Sequence, residues 1–448
     1  MALPATTVWE VRTDGNDANG GGFVTGASGP DRSQQAAAQI AYTDLVIGVT
    51  TTNLTSALNA FTAAEVGNIL NVTGGVGFTT GRYQVVSVAA GVATMDRSVG
   101  VAASTGGTGN LGGALLTIAQ ALTLSTVDQM ATYVRGGTYA ITVALAPPAR
   151  GSSTPCRCRG YSTIRGDLGR PTISVTAAVV GLTGATGWVF ENLILDGTST
   201  GTTGINDAGG NATYKNIKVT GFTGTGVVFT SNTLWDNIEV TGCAAGITSA
   251  AGADVAITGA WVHNNTGVGV SFGGRGCTLR ESIISNNTGA AADGVSVSTG
   301  SCNVSSCIIY GNGRDGIRVV AGALVRGGGP IRNNVCVNNG GYGLNSTTAL
   351  VHLDFPWIDY NAFYNNTSGA WNNVNASPHD VTLTGDPFTN AAGNDFSLNN
   401  TAGAGAACRN AGFPGALPGL ATPLGYADIG VYRHQDPAQG PMFRGATL

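Results

Sequence analysis

Lysine is almost missing. Lys215 and Lys218 are the only two, and every other basic residue is an arginine. Charge of either sign is scarce, at 10% of residues against the usual ~25%, and the net charge is −4. No basic field exists to hold nucleic acid, so no nucleic-acid partner is expected. Long apolar runs are also missing. No stretch approaches the ~20 residues of a membrane span, so no membrane partner is expected. The opening Met1-Ala2-Leu3-Pro4-Ala5 lacks a basic segment followed by an apolar one, and no signal peptide is expected. There is no Cys-x-x-Cys. Cys156 and Cys158 form Cys-x-Cys, and Cys243, Cys277, Cys302, Cys307, Cys336 and Cys408 are scattered, so no metal site is expected. The thiols read as small buried groups, with disulfides between adjacent coils left open. Gly-x-Gly strings occur between short strands and not before a long helix, which argues against nucleotide loops and against a cofactor.

What remains is glycine and apolar residues. Glycine contributes 70 of 448 residues and hydrophobic residues 42%, which suits an all-β protein with many tight turns and not a disordered chain. The strongest signal is internal repetition. Asn192-Leu-Ile-Leu-Asp-Gly197 is echoed at Asn216–Gly221, Asn237–Gly242, Ala260–Asn265, Ser282–Asn287, Cys307–Asn312, Asn334–Asn339 and Asn361–Asn366. The spacing is 21–27 residues, and Gly204-Ile205, Gly226-Val227, Gly246-Ile247, Gly269-Val270, Gly294-Val295, Gly316-Ile317 and Gly343-Leu344 form a second echo shortly after the first. Alternating apolar and polar residues mark half-buried strands. A coil of three short strands needs about twenty residues, and stacking such coils at ~4.8 Å pairs each strand with its copies. The expected fold is a right-handed parallel β-helix of about nine to ten coils behind a small N-terminal β domain. Leu193, Ile217, Ile238, Trp261, Ile283, Ile308 and Val335 are expected to form one interior row. Asn265, Asn287, Asn312, Asn339 and Asn366 are expected to form a corner ladder, with Asn and Gly supplying left-handed backbone.

The segment Leu116–Leu122, then Thr132–Tyr139, Thr163-Ile-Arg-Gly166 and Arg170-Pro-Thr-Ile173, resembles the opening of pectate-lyase-like right-handed β-helices. In that superfamily a short helix closes the solenoid, a Gly-Thr-Tyr turn ends the first strand and an Ile-Arg-Gly strand begins the next coil. Asp395–Leu398, Cys408–Gly412 and Asp428–Tyr432 resemble the closing segment of such proteins. The resemblance implies a β-helix over 115–385 with a closing segment and tail over 386–448. It implies no single activity, because the fold hosts lyases, hydrolases, epimerases and inert virion parts. The clustered Asp residues and Gly-His-Gly of the galacturonan hydrolases are absent, and so are the adjacent calcium-binding Asp residues of the pectate lyases. His263, His352, His379 and His434 stand isolated in the sequence.

Residues 1–114 do not follow the repeat. Strand-like stretches from Leu54 to Asp96 suggest a small β-barrel or sandwich, and Thr105–Gly113 reads as a linker. With Gly67-Asn-Ile-Leu70, this opening resembles the start of β-helix proteins among bacteriophage structural genes. That resemblance implies a virion protein on the particle exterior, joined to capsid or tail proteins through residues 1–114, and a homotrimer. It points to a non-enzymatic capsid decoration or head spike, with a tail spike or fibre that binds or cleaves host polysaccharide as the alternative.

Three clusters are candidates for chemistry. Arg314-Asp315 with Arg318 places a carboxylate beside arginine, as a site for an acidic sugar would, although a surface ion pair is the commoner explanation. His352, Asp354 and Asp359 stand near Trp357 and Tyr360, and aromatics beside acids are typical of sugar-binding surfaces; the alternative is a loop covering the solenoid. Asp14, Asn16 and Asp17 lie in a Gly-rich turn that lacks the later Glu of a calcium loop, and read as an Asx-turn cluster.

Overall fold

The computed structural model describes residues 3–151, 153–207, 210, 212–230, 233–250, 254–274, 276–298, 302–320, 329–348, 358–413 and 427–431. The chain divides into two units, 1–218 and 219–448. It carries a right-handed parallel β-solenoid of about nine turns and a small closed β-barrel near the N-terminus.

In the first unit, the strand Thr7–Val11 pairs in parallel with Ala131–Arg135, which pairs with Cys156–Tyr161 and so with the first half of Trp188–Asp196. Thr138–Ile141, Thr172–Val175 and the second half of Trp188–Asp196 form another parallel set, and Val180–Thr183 pairs with Thr203–Asp207. The opening strand is thus already a rung of the solenoid, and residues 1–114 are not a separable bead. The barrel is an excursion built from Ile40–Ile47, Asn53–Thr55, Ile69–Gly74, Gly81–Ala89, Val92–Met95 and Ser104–Leu111 around Tyr42, Leu45, Leu70, Val85 and Leu111. The expected linker at 105–113 is its closing strand, paired with both Ile40–Ile47 and Ile69–Gly74. Glycine is needed there for space: a Cβ on Gly107 would lie 2.4 Å from the Phe78 ring.

The helix Ile118–Leu124 buries Ile118, Ala121 and Leu122 and is capped by Thr117, whose hydroxyl accepts from Gln120 N. Asp17 reinforces the cap by accepting from Leu116 N, Thr117 N and the Thr117 hydroxyl. The Thr163–Gly166 motif is a turn and not a strand. Asp167 closes it by accepting from Ser162, Thr163 and Ile164 N–H groups, bonds that hold its carboxyl well below the usual range. The motif's arginine reaches across the unit. Arg165 donates Nε and Nη2 to fully buried Glu10 at 2.9 and 2.6 Å and Nη1 to Asp31 at 2.9 Å, while Tyr161 donates to the other Glu10 oxygen. This network ties the first rung to the chain leading into the barrel.

In the second unit three parallel faces repeat. One runs Thr225–Phe229, Ala245–Ser249, Val270–Phe272, Val295–Val297, Ile317–Val319, Tyr342–Ser346 and Gly369–Asn372. The bent strand Thr233–Thr241 starts the other two. Its first half leads to Val255–Thr258, Thr278–Arg280, Asn303–Ser305, Ile331–Arg332 and Ile358–Asp359. Its second half leads to Trp261–His263, Ile283–Ser285, Ile308–Tyr310, Val335–Val337, Ala362–Tyr364 and Val381–Thr382. The expected interior row holds at the buried Leu193, Ile217 and Ile238 and slips by one position from Trp261 onward. Trp261 pairs with Glu239, not Ile238, so the inward row is Val240, Val262, Ile284, Ile309, Cys336 and Phe363. A one-residue slip moves every side chain to the opposite face. Trp261, Ile283, Ile308 and Val335 do stack, but they point outward. Ile308 and Val335 are buried because the closing segment folds over them with Phe388, Phe396, Ile429 and Val431.

The corner ladder forms as expected. Asn265, Asn287, Asn312 and Asn339 each donate Nδ2 to the Oδ1 of the next Asn, ending at Asn366, at 2.8–3.0 Å. Left-handed backbone falls one residue earlier than expected, at Asn264, Asn286, Gly311, Asn338 and Asn365. The glycines of the second echo do not have positive φ. A Cβ on Gly246, Gly269, Gly294, Gly316 or Gly343 would lie 2.2–2.6 Å from the neighbouring coil or core, so these positions need glycine for close approach.

Candidate functional site

The three candidate clusters separate clearly. Asp14 is engaged by Arg12 through two bonds of 2.8 and 2.9 Å, and Asn16 accepts from Ala18 N in an Asx turn. With Asp17 spent on the helix cap, this cluster is local scaffolding.

In the Arg314–Asp315 cluster the carboxylates are buried, and the arginines reach them from the surface. Arg314 donates Nε and Nη2 to Asp293 at 2.6 Å each, and Asp293 has no exposure. Burial raises the Asp293 carboxyl and the Arg314 bonds oppose that rise. Asp315 accepts from Tyr342 N at 2.8 Å, from Asn345 Nδ2 at 2.6 Å and from Arg318 at 3.5 Å. Both carboxylates are saturated by neighbouring coils and hold the stack together. Asp315 is therefore not a free acid.

In the second cluster His352, Asp354 and Trp357 lie outside the described residues. Asp359 and Tyr360 are described, and the fold adds partners that are distant in sequence. Asp359 ends the strand Ile358–Asp359 and is in register with Arg332; Arg332 is in register with Ser305, and Ser305 with Arg280. Side chains at matching register project the same way, so Arg280 and Arg332, two rungs apart, stand about 9.6 Å from each other along the axis. The side chain that meets Asp359 is His379. Its Nδ1 lies 2.8 Å from Asp359 Oδ2, while Asp359 Oδ1 accepts from the Ser377 hydroxyl at 2.5 Å and from Tyr360 N at 2.8 Å. The half-exposed His379 ring stacks on Tyr360 at 4.4 Å and 6°. Phe413 meets Tyr360 edge-on at 5.5 Å, and the Arg332 guanidinium sits 4.3 Å over the Phe413 ring. Burial, and secondarily Arg280, lowers the Arg332 pKa.

A neighbouring acid, Asp380, accepts from Asn361 N and Ser377 N and terminates a second asparagine ladder that runs through Asn334 and Asn361. Its carboxyl is raised by burial. The site is therefore a shallow strip with one oriented carboxylate–imidazole pair, two guanidinium groups and two ring faces. Aromatic faces stack on the C–H face of a sugar, and guanidinium and carboxylate groups bond its hydroxyls or acids. Sequence reading found Asp359 and Tyr360 but left His379 isolated. The available signal was spacing: His379 follows Asp359 by 20 residues, close to one coil.

No family model matches the sequence, and no curated protein matches it. Solved structures do resemble it. Pectate lyase Pel9A aligns over 72% of this chain and 92% of its own, with a TM-score of 0.53 and 14% identity. The alginate lyase of Paenibacillus sp. str. FPU-7 aligns over 57% and 97%, with a TM-score of 0.40 and 13% identity. ORF18 of Geobacillus virus E2 aligns over 58% and 55%, with a TM-score of 0.36 and 12% identity. The stacked rungs, the asparagine ladder and the likeness to Pel9A establish the fold as that of a pectate-lyase-like right-handed parallel β-helix.

Proposed function

We propose that the protein is a virion appendage whose solenoid binds a polysaccharide chain along the Arg280–Arg332–Asp359–His379 strip without cleaving it. The observation that carries this reading is the convergence, on one outward edge, of two arginines from alternate rungs with the Tyr360–His379 stack and the Asp359 carboxylate. Hydrolysis of a glycosidic bond by the common route needs two carboxyl groups facing each other across roughly 5–9.5 Å. Asp380 does not serve as the second, since its oxygens are committed to the Asn361 and Ser377 amides. Among the described residues of the strip, binding is the chemistry supported.

The test is saturable binding of purified protein to a panel of bacterial capsular, O-antigen and uronate polysaccharides, alongside a reducing-end assay. Arg332→Ala and His379→Ala are expected to weaken binding about tenfold or more, equivalent to ~1.4 kcal/mol. Arg318→Ala, outside the strip, is expected to leave it unchanged. Absence of binding across the panel overturns the proposal. Release of oligosaccharides abolished by Asp359→Asn replaces it with a depolymerase.

Attachment to the particle exterior through residues 1–114, as a homotrimeric capsid decoration, is the finer part of the proposal. It is supported by the resemblance of the opening to phage β-helix proteins and by the barrel that opening builds. The glycan strip favours a second reading, a tail spike that grips host polysaccharide. Immunogold labelling of intact particles distinguishes them: label on the head supports decoration, and label confined to the tail supports the spike.

A further inference from the structure

All eight cysteines are buried thiols, and one pair among them is in register. Thr278 pairs with Asn303 across adjacent rungs, and Asn303 N donates to the Cys277 carbonyl at 2.8 Å. Cys277 and Cys302 therefore stand one above the other just before these strands. The rung spacing puts their Cα atoms about 4.8 Å apart, inside the ~4.4–6.8 Å span of disulfides. Cys156 and Cys158 lie opposite Trp188 and Phe190, Cys307 faces Asn334, and Cys336 lies between Ile309 and Phe363. We propose that Cys277 and Cys302 are an oxidation site that closes into a cross-rung disulfide when the protein meets a peroxide.

The surroundings suit the chemistry. Ser249 Oγ lies 3.7 Å from Cys277 Sγ, and the carbonyl of Gly274 lies 3.9 Å from Cys302 Sγ. The hydrogen bond shared with Cys302 holds the Cys277 thiol below its ordinary pKa against the opposing effect of burial, and the first attack is assigned to Cys277. The Cys277 sulfur attacks one peroxide oxygen. The O–O bond breaks, a sulfenic acid forms, and the displaced hydroxide takes up the Cys277 proton as water. Cys302 then gives up its proton and displaces hydroxide from the sulfenic sulfur, forming the S–S bond and a second water. Two electrons leave the sulfur pair and reduce one peroxide to two waters. Both side chains are at most 4% exposed, so a small oxidant is the matched reagent and bulky alkylating agents are not. The linkage covalently joins successive coils of the solenoid, a form suited to a rod that leaves a reducing cell for an oxidising exterior.

The experiment treats native protein with hydrogen peroxide, quenches with catalase, denatures, and counts thiols with mass-spectrometric peptide mapping. Six titratable thiols in place of eight are expected, with Cys277 linked to Cys302. Because Cys307 shares a tryptic peptide with Cys302, the mapping is repeated in Cys307→Ser. Cys277→Ser is expected to leave Cys302 as a thiol, and the linked wild type is expected to unfold at a higher temperature than the reduced one. Eight surviving thiols overturn the proposal. So does hyperoxidised Cys277 beside an intact Cys302 thiol, or a Cys302 linked equally well to another cysteine.

Discussion

Asn312→Ala tests the physical basis of the solenoid. Asn312 sits in the middle of the corner ladder and is 1% exposed. Its Oδ1 accepts from Asn287 N at 3.3 Å and Asn287 Nδ2 at 2.9 Å. Its Nδ2 donates to Ile284 O at 3.1 Å and to Asn339 Oδ1 at 3.0 Å. Alanine removes all four bonds at a site closed to bulk solvent. Orphaning a buried polar group costs roughly 1–3 kcal/mol, and two such groups plus two ordinary bonds at about 1 kcal/mol each give a loss of roughly 4–8 kcal/mol. Asn366, the half-buried end of the same ladder, can be replaced by water, and Asn366→Ala is expected to cost about 1 kcal/mol. Urea unfolding followed by far-UV circular dichroism gives the midpoint and slope, and hydrogen exchange at Asn287 and Gly313 shows whether damage stays near the missing rung. In a stacked array a weakened interface can split the transition, so a new first phase counts as the predicted loss. An Asn312→Ala loss no larger than that of Asn366→Ala would refute the view that the ladder bonds hold the corner.

Burial pushes the Asp207 carboxyl up to about 6, so its contribution to stability is complete below about pH 4 and is lost as pH rises through 6. Wild-type stability relative to Asp207→Asn should fall by roughly 3 kcal/mol between pH 4 and pH 7.5, and a flat difference in paired urea titrations refutes this. Gly107→Ala forces a Cβ into the Phe78 ring at 2.4 Å and is expected to cost about 2 kcal/mol by calorimetry. Arg165→Met leaves Glu10 buried without its cation; a loss of about 3–5 kcal/mol is expected, partly rescued by Glu10→Gln in the same chain. Ile308→Asp puts a charge under the closing segment and should expose residues 386–413 to limited proteolysis while the inward row, with Ile309, stays protected; identical digestion of variant and wild type would contradict the outward placement of Ile308.

The sequence by itself determined the period, the parallel stacking and the asparagine corner, because these depend on local steric preferences repeated at nearly constant spacing. Asn265 to Asn366 carry the same side chain at the same place in every coil, and identity at a fixed period is visible without coordinates. Tertiary structure alone decided which way the rows face. In Cys307-Ile-Ile-Tyr310 two apolar residues adjoin, and only the pairing partner and the closing segment show that Ile309 faces inward and Ile308 outward. It also decided that Ser104–Leu111 is a strand, since glycine reads as flexibility until a ring such as that of Phe78 occupies the space a side chain would fill. Two of the five strip residues were legible, Asp359 and Tyr360, whose acid and aromatic character is intrinsic. Arg280, Arg332 and His379 were not, because what joins them to Asp359 is the rise of one rung onto the next, a distance that exists only once the chain has wound.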